Sequence, residues 1–361
     1  MRASKTTIGT ALVLSAGLAL AACSSGGGTT GDQSADDATS GGSTSEEGGA
    51  ADSDLSFIYL TNDPIGQNMF LESGRLGTEL AAETYGASWK MFEGSTEEAN
   101  RSNLEQAVNE APDAIVMITF DFEDLAKEFA EANPDQEFVL IDACPQDATE
   151  NLHCAVFREP EASYLLGYEA GLLTESGAVG SIGAVDIPFI HRYTDFFAMG
   201  AEASHPGVKD NQLFIGGTNP FGDPATAKEQ GIAMAATGAD HVFAVASGSN
   251  SGVFAAGAEK GFTSYGVDVN QCPDQPGFVG DGTIKNVEKL IVTEIGKILD
   301  GERTAVTSYG LAEGGMDIIS LSDIAEGSQC TVMEHPDVVA EVAKVKEQII
   351  SGELVLPDAG N

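Results

Sequence analysis

Acidic side chains and aromatic rings recur together in the short segments that follow the apolar runs of this 361-residue chain. Asp63 and Asn68 follow the run at 55–60, and Phe120 and Asp121 follow 114–118. Asp186 and His191 come after 178–185, Phe221 and Asp223 after 212–215, and Asn250 after 241–246. Asp268 lies at the end of 264–269. An aromatic face stacks on a flat ring at low entropic cost, and a carboxylate accepts hydrogen bonds from adjacent hydroxyls. The combination suits a flat, hydroxylated small molecule. Taken singly, Asp124 and Asp223 read as helix N-caps, and each Phe has core packing as its alternative. The chain carries no His-Glu-x-x-His, no phosphate-binding Gly-Lys-Ser/Thr loop and no nucleophile elbow. Gly248–Gly252 has the outline of an elbow, but Asn250 stands where its serine would be.

The elements that must position these residues alternate regularly. Apolar runs of strand length at 55–60, 88–92, 114–118 and 138–141 are separated by amphipathic stretches at 68–85, 96–109 and 122–131. A second series follows, with helices expected at 160–174, 195–204, 224–237 and 252–260 and strands at 178–185, 212–215, 241–246 and 264–269. Late pieces are a helix at 283–299, a strand at 316–321 and a helix at 336–350. Continuous apolar strands between helices predict parallel sheets covered on both faces. Two series predict two doubly wound α/β lobes. Ligands of such sheets sit beyond the carboxyl ends of the strands, here in the cleft between the lobes.

Ahead of the lobes lies a leader. Arg2 and Lys5 precede a short apolar run, and Leu20-Ala21-Ala22-Cys23 closes it. This order is that of a secretory signal, and the run is shorter than the roughly 20 residues a membrane span needs. The closing tetrapeptide resembles a bacterial lipobox, which implies removal of residues 1–22 and a lipid on Cys23. Residues 24–53 hold no apolar side chain larger than Ala, so 23–54 reads as a disordered acidic linker. The net charge of −39 argues against a nucleic-acid partner and against docking on an anionic membrane by charge. Cys144, Cys154, Cys272 and Cys330 remain, an even number in an oxidising compartment. Pairing 144 with 154 and 272 with 330 is the preferred connectivity. A zinc site is the alternative, but no paired Cys-x₂-Cys spacing supports it, and no metal or cofactor is expected.

The stretch Phe157-Arg-Glu-Pro-Glu-Ala-Ser-Tyr-Leu-Leu-Gly-Tyr-Glu-Ala-Gly171 resembles a segment of the basic membrane protein family. These are lipoprotein substrate-binding components of ABC transporters, including purine nucleoside receptors. Asp186-Ile-Pro188, Phe221-Gly-Asp223-Pro224, Gly266-Val-Asp268 and Lys285 resemble further family features. The resemblance implies a type I periplasmic-binding fold whose crossovers fall near 157, 281 and 306. The lobes would then be 55–156 with 282–305, and 157–281 with 306–361. It also implies site roles. Phe221 would stack on the nucleobase, Asp268 would accept from ribose hydroxyls, and Lys285, placed on the following helix, would donate to the ribose. Backbone near Gly248 would line the sugar. Phe120 or Phe70 would supply the opposing ring, and Asp63, Asn68 or Asp121 would meet the base. The chain departs from the family at Asp63-Pro-Ile-Gly-Gln-Asn68, one residue longer than the usual Asp-x-Ser-Phe-Asn, and at Asn270-Gln271, where a second Asp is frequent.

The expected function is therefore an extracytoplasmic, membrane-anchored, monomeric receptor that passes a nucleoside to an ABC permease. A receptor that senses a nucleoside or a sugar without transport, and a nucleoside hydrolase using paired carboxylates, are the alternatives.

Overall fold

The computed structural model describes residues 45–48, 54–66, 68–303 and 306–359. Among these residues the chain forms two sheets. The first contains β1 (Ser45–Gly48), β2 (Ser56–Thr61), β3 (Ser88–Glu93), β4 (Ala114–Ile118), β5 (Phe138–Ile141), β6 (Leu152–Phe157) and β12 (Val306–Tyr309). Their order in space is β1-β3-β2-β4-β5-β6-β12, and every pair is parallel except β1 with β3. The second contains β7 (Ala178–Gly183), β8 (Lys209–Phe214), β9 (His241–Val245), β10 (Thr263–Gly266), β11 (Val279–Lys285) and β13 (Met316–Ile318). It runs β13-β11-β10-β9-β7-β8, with only β13 antiparallel.

Helices cover both faces of each sheet, which explains the unbroken apolar runs. Phe57 and Tyr59 of β2 pack towards α1 (Met69–Tyr85) and α8 (Val287–Leu299). Ile58 and Leu60, pointing the other way, pack towards α2 (Glu97–Glu110) and α3 (Glu123–Ala132). In the second lobe, α4 (Glu159–Leu173) and α5 (Pro188–Ser204) lie over Val179, Phe243 and Tyr265. On the opposite face α6 (Pro224–Ala236) and α7 (Asn250–Lys260) cover Ile182, Val242 and Ala244, and α9 (Pro336–Ser351) packs on α4. The helix starts are sequence-encoded: Thr96 accepts from the Ala99 amide, and Asp223 from the Thr226 amide.

Several expectations need correction. Residues 283–285 are not helical. They finish β11, where Thr283, Ile284 and Lys285 pair with Ile318, Asp317 and Met316, and the helix begins only at Val287. Tertiary pairing overrides a helical pattern that runs on without a break in the sequence. Lys285 is thus a strand-end residue. Strands β6 and β12, unread in the sequence, pair with each other at the edge of the first lobe. Sheet membership puts the second and third crossovers after Lys285 and Tyr309, not near 281 and 306. Within the stretch read as a disordered linker, Ser45–Gly48 adds an antiparallel edge strand to β3. Backbone pairing needs no apolar side chain, so composition could not reveal it. Cys23 and the leader lie outside the described residues. Cys144 is joined to Cys154 and Cys272 to Cys330, with Cα atoms 5.4 and 5.0 Å apart.

The contact between α4 and α5 depends on glycine. A Cβ on Gly167 would lie 1.9 Å from the Phe197 carbonyl oxygen, and one on Gly200 would lie 2.0 Å from that of Tyr164. Backbone meets backbone, so no side-chain rotation can relieve a clash. Gly167→Ala should destabilise the chain by about 1–3 kcal/mol or more, measured by urea unfolding, whereas Gly238→Ala, with open space around it, should show only the strain of its positive φ.

Candidate functional site

The carboxyl ends of β2, β4, β5, β7, β9, β10 and β11 converge on one cavity, where ligands of such sheets bind. Asp63, Asn68, Phe120, Asp121, Phe221, Asp268 and Lys285 all line it, as does Phe70. Gly248 does not. It faces a neighbouring groove, and Ser247 takes the cavity wall instead. The backbone turns at Ser247, with φ +48°, and carries Gly248 outward.

Lys285 is the centre of this site. Its side chain is 1% exposed and donates a hydrogen bond to Asp142 from the first lobe. Glu159 Oε1 lies 3.5 Å and Asp268 Oδ1 4.0 Å from the same nitrogen. Phe157, Phe70, Phe189 and Tyr193 place their rings 4.8, 5.0, 5.4 and 5.5 Å from it, close enough for cation–π attraction. Burial alone would lower the ammonium pKa, but Asp142, Glu159 and Asp268 outweigh it and hold the group above its ordinary value. The carboxyls move upward too. Burial drives Glu159 to about 7, against Lys285, with Asp142 adding to the rise. Burial likewise drives Asp268 to about 6, again opposed by Lys285.

Asp268 presents Oδ1 without any hydrogen-bond donor, although that atom is buried. Its carbonyl accepts from the Lys285 amide at 3.0 Å, which fixes the two residues side by side. The loop beneath is braced by Gln271, whose Oε1 accepts from Val267 N and from Asn250 Nδ2 at 3.1 and 2.9 Å. Asn250 is thus a buried brace. Asn270 holds the same loop to the Ser328 carbonyl, beside the Cys272–Cys330 disulfide.

The cavity also carries three phenyl rings, of which Phe189 is the one that reaches Lys285. Phe120 of the first lobe stands 5.3 Å from Phe189 and 6.5 Å from Phe221 of the second, centroid to centroid. At the mouth, Asn62 Nδ2 donates to Asp121 at 2.8 Å and reaches Asp63 at 3.4 Å. Asn68 is committed: its Oδ1 caps α1 by accepting from Phe70 N and Leu71 N, and it also accepts from Ser247 Oγ across the lobes at 2.8 Å. Its amide Nδ2 is what it can offer a ligand.

Three cavity residues outside the sequence-based set of candidates, and Glu159 beside Lys285, carry signals that the sequence offers. Asp142 follows β5 just as Asp121 follows β4, and the same rule applied to the segment after 138–141 identifies it. Glu159 belongs to the quoted Phe-Arg-Glu segment, and Phe189 follows Asp186-Ile-Pro188 directly. Tyr193 lies one helical turn beyond Phe189. His191 turns away from the cavity. Its Nε2 meets Asp186 at 2.8 Å and its Nδ1 meets Asp195 at 3.1 Å, and these two carboxylates raise its pKa.

A profile described as Bmp: ABC transporter substrate-binding protein PnrA-like matches residues 56–359. The chain is 27% identical over 286 residues to a CD4+ T-cell-stimulating antigen of Listeria innocua, covering 75% of this chain and 77% of that one. It is 26% identical over 292 residues to the ABC transporter nucleoside-binding protein BmpA of Lactococcus lactis, covering 75% and 79%. Among solved structures, an ABC transporter solute-binding protein of Aeropyrum pernix superposes with a TM-score of 0.73 at 25% identity, over 84% of this chain and 93% of that one. The two lobes have the type I periplasmic-binding architecture.

The Lys285 cluster yields a stability prediction. Lys285→Met leaves three carboxylates around a site with no ammonium and should cost about 3–5 kcal/mol at pH 7 in urea unfolding. Carboxyls raised in the folded state bind protons that the unfolded chain releases, so they favour folding at low pH and less so as pH rises. The variant's deficit should therefore shrink as pH falls from 7 towards 5, through the range where Glu159 and Asp268 take up protons.

Proposed function

The chain belongs to the Bmp family of PnrA-like ABC transporter substrate-binding proteins, and from that premise we propose that it is a nucleoside receptor, with purine nucleosides favoured. The observation that carries this reading is the donor-less Asp268 Oδ1 in a cavity that three phenyl rings also line. A buried anionic acceptor without a donor is costly, and adjacent ribose hydroxyls supply donors in the required pair. In this reading Asp268 accepts from the ribose, and Lys285, fixed by Asp142 and Glu159, donates to a ribose oxygen. Phe221 stacks on the base, with Phe120 and Phe189 closing around its edges and other face. The base edge meets Asn62, Asp63, Asn68 or Asp121 at the mouth.

The cavity's charge supports an uncharged guest. Asp63, Asp121, Asp142 and Asp268 line it, against Lys285 as the one basic side chain among its lining residues. A phosphate would meet this surplus of carboxylates, so nucleosides are favoured over their phosphates. The leader and Cys23 support a lipid anchor on the outer face of the cell membrane, from which the receptor, acting as a monomer, would deliver its ligand to an ABC permease. Among the described residues no helix is long and apolar enough to cross a membrane.

Mass spectrometry of small molecules released from the purified protein, followed by calorimetry with guanosine, adenosine, inosine, the free bases and guanosine monophosphate, tests the proposal. Nucleosides should be recovered intact and bind more tightly than bases or the monophosphate. A preference for the bases or the monophosphate would refute it. Asp268→Ala should weaken nucleoside binding by roughly 3 kcal/mol or more, which is about 100-fold in Kd, and leave the weak binding of free bases unchanged. Phe221→Ala should cost roughly 1–3 kcal/mol, the scale of one base–aromatic stack. Wild-type affinity in the Asp268 variant would remove the ribose assignment.

A further inference from the structure

The ligand cleft uses Asp142, Glu159, Asp268 and Lys285 but leaves a second carboxylate pair unexplained. Glu169 on α4 and Asp281 on β11 both have no exposed surface. Asp281 is satisfied: Oδ1 accepts from Gly282 N at 2.8 Å, and the carboxylate accepts from Ser320 N at 3.1 and 3.3 Å. Glu169 is not. Neither of its oxygens finds a donor, and the Ser320 Oγ beside the pair is also buried without a partner. The polar group facing Glu169 is the Asp281 carboxyl, an acceptor unless a proton lies between them.

No cation balances the pair among the described residues. β10 contributes Tyr265, whose hydroxyl is 2.8 Å from His241 Nδ1 on β9, and Asp240 precedes that strand. β13 and α9 contribute Asp317 and Lys346, which neutralise each other at 2.6 Å. Lys285 points to the same side of β11 four residues on, about 13 Å away at strand spacing, and is held by three carboxylates of its own. Two carboxylates at zero exposure with no cation in reach cannot both remain ionised.

We propose that Glu169 and Asp281 form a proton-binding site, in which one proton carried by Glu169 is donated to Asp281 and fastens α4 to β11. Burial, reinforced by the Asp281 charge, pushes the Glu169 carboxyl well above its ordinary value. Burial pushes Asp281 to about 6, with the Ser320 and Gly282 hydrogen bonds opposing the rise. The placement gives the proton a consequence. α4 leaves the first crossover and β11 enters the second, so the joint they share backs the strand that ends in Lys285. The site stands independently of which ligand the cleft takes.

Glu169→Gln supplies a permanent donor of the same shape and tests the proposal. A carboxyl raised in the folded state stabilises folding below its unfolded value, and this contribution is lost as pH rises through the folded value. In metal-free buffer, the urea-derived unfolding constant of the wild-type chain should therefore rise with pH between 6 and 9 by up to tenfold per unit more steeply than that of Glu169→Gln. Equal pH dependence in the two proteins overturns the proposal. A rise in wild-type Tm on adding sodium or calcium, absent in the variant, also overturns it in favour of a cation site. Should the variant not fold, infrared spectroscopy of the wild-type chain at pH 8, above the range where Glu159 and Asp268 titrate, decides the matter. A protonated-carboxyl stretch is expected there, and its absence refutes the shared proton.

Discussion

One buried ammonium organises the cleft. Lys285 has almost no contact with solvent, and a lone ammonium in that position would shed its proton or move. It stays because Asp142, Glu159 and Asp268 surround it and four aromatic rings face it. The three carboxylates come from separate places: the end of β5, the first turn of α4 and the loop after β10. The cluster therefore ties the first lobe to the second at the point where two crossovers pass. It also leaves Asp268 only partly neutralised, at 4.0 Å and without a hydrogen bond to Oδ1. What fixes the lobes together is also what leaves an acceptor facing the cavity.

The backbone around this cluster is strained in a patterned way. Thr119, Asp142, Ser247 and Asp268 all have positive φ, at +82°, +79°, +48° and +68°. Each follows a different strand, and each lines the cavity. Non-glycine residues there cost of order 1–3 kcal/mol apiece, so the surrounding structure must hold them. It does so with specific bonds. The Thr119 amide donates to the Ile141 carbonyl and the Asp142 amide to that of Ala155, while Gln271 and Asn250 brace the Asp268 loop. Strand ends that would otherwise continue straight are bent so that their side chains turn into one space.

The two lobes meet through polar contacts as well as through rings. Ser247 reaches Asn68 across the gap while Asn68 caps α1, so a contact between lobes rests on a helix terminus that is itself fixed. Phe120 meets Phe189 and Phe221 near the same level. Charge is distributed unevenly through the molecule. Among the described residues the buried carboxylates lie at the Lys285 cluster, at the Glu169–Asp281 joint and at Glu294, which accepts from Lys297 and from the Tyr309 hydroxyl.

Periodicity and composition alone determined the two-series α/β plan, most of the loops from which the cavity residues come and an even set of four cysteines, whose pairing the structure decided. These features depend on local pattern: apolar runs of strand length, helices with capping residues, aromatics and carboxylates after strands. Tertiary structure decided what no local pattern encodes. Residues 283–285 became strand because Ile318, Asp317 and Met316 were there to pair with them, and 152–157 and 306–309 became strands by pairing with each other. Lys285 acquired Asp142, and Asn68 acquired the Ser247 hydroxyl, from more than a hundred residues away. A sequence specifies which groups are available. Only the packed chain fixes their distances, and charge–charge and hydrogen-bond energies depend on distance and burial.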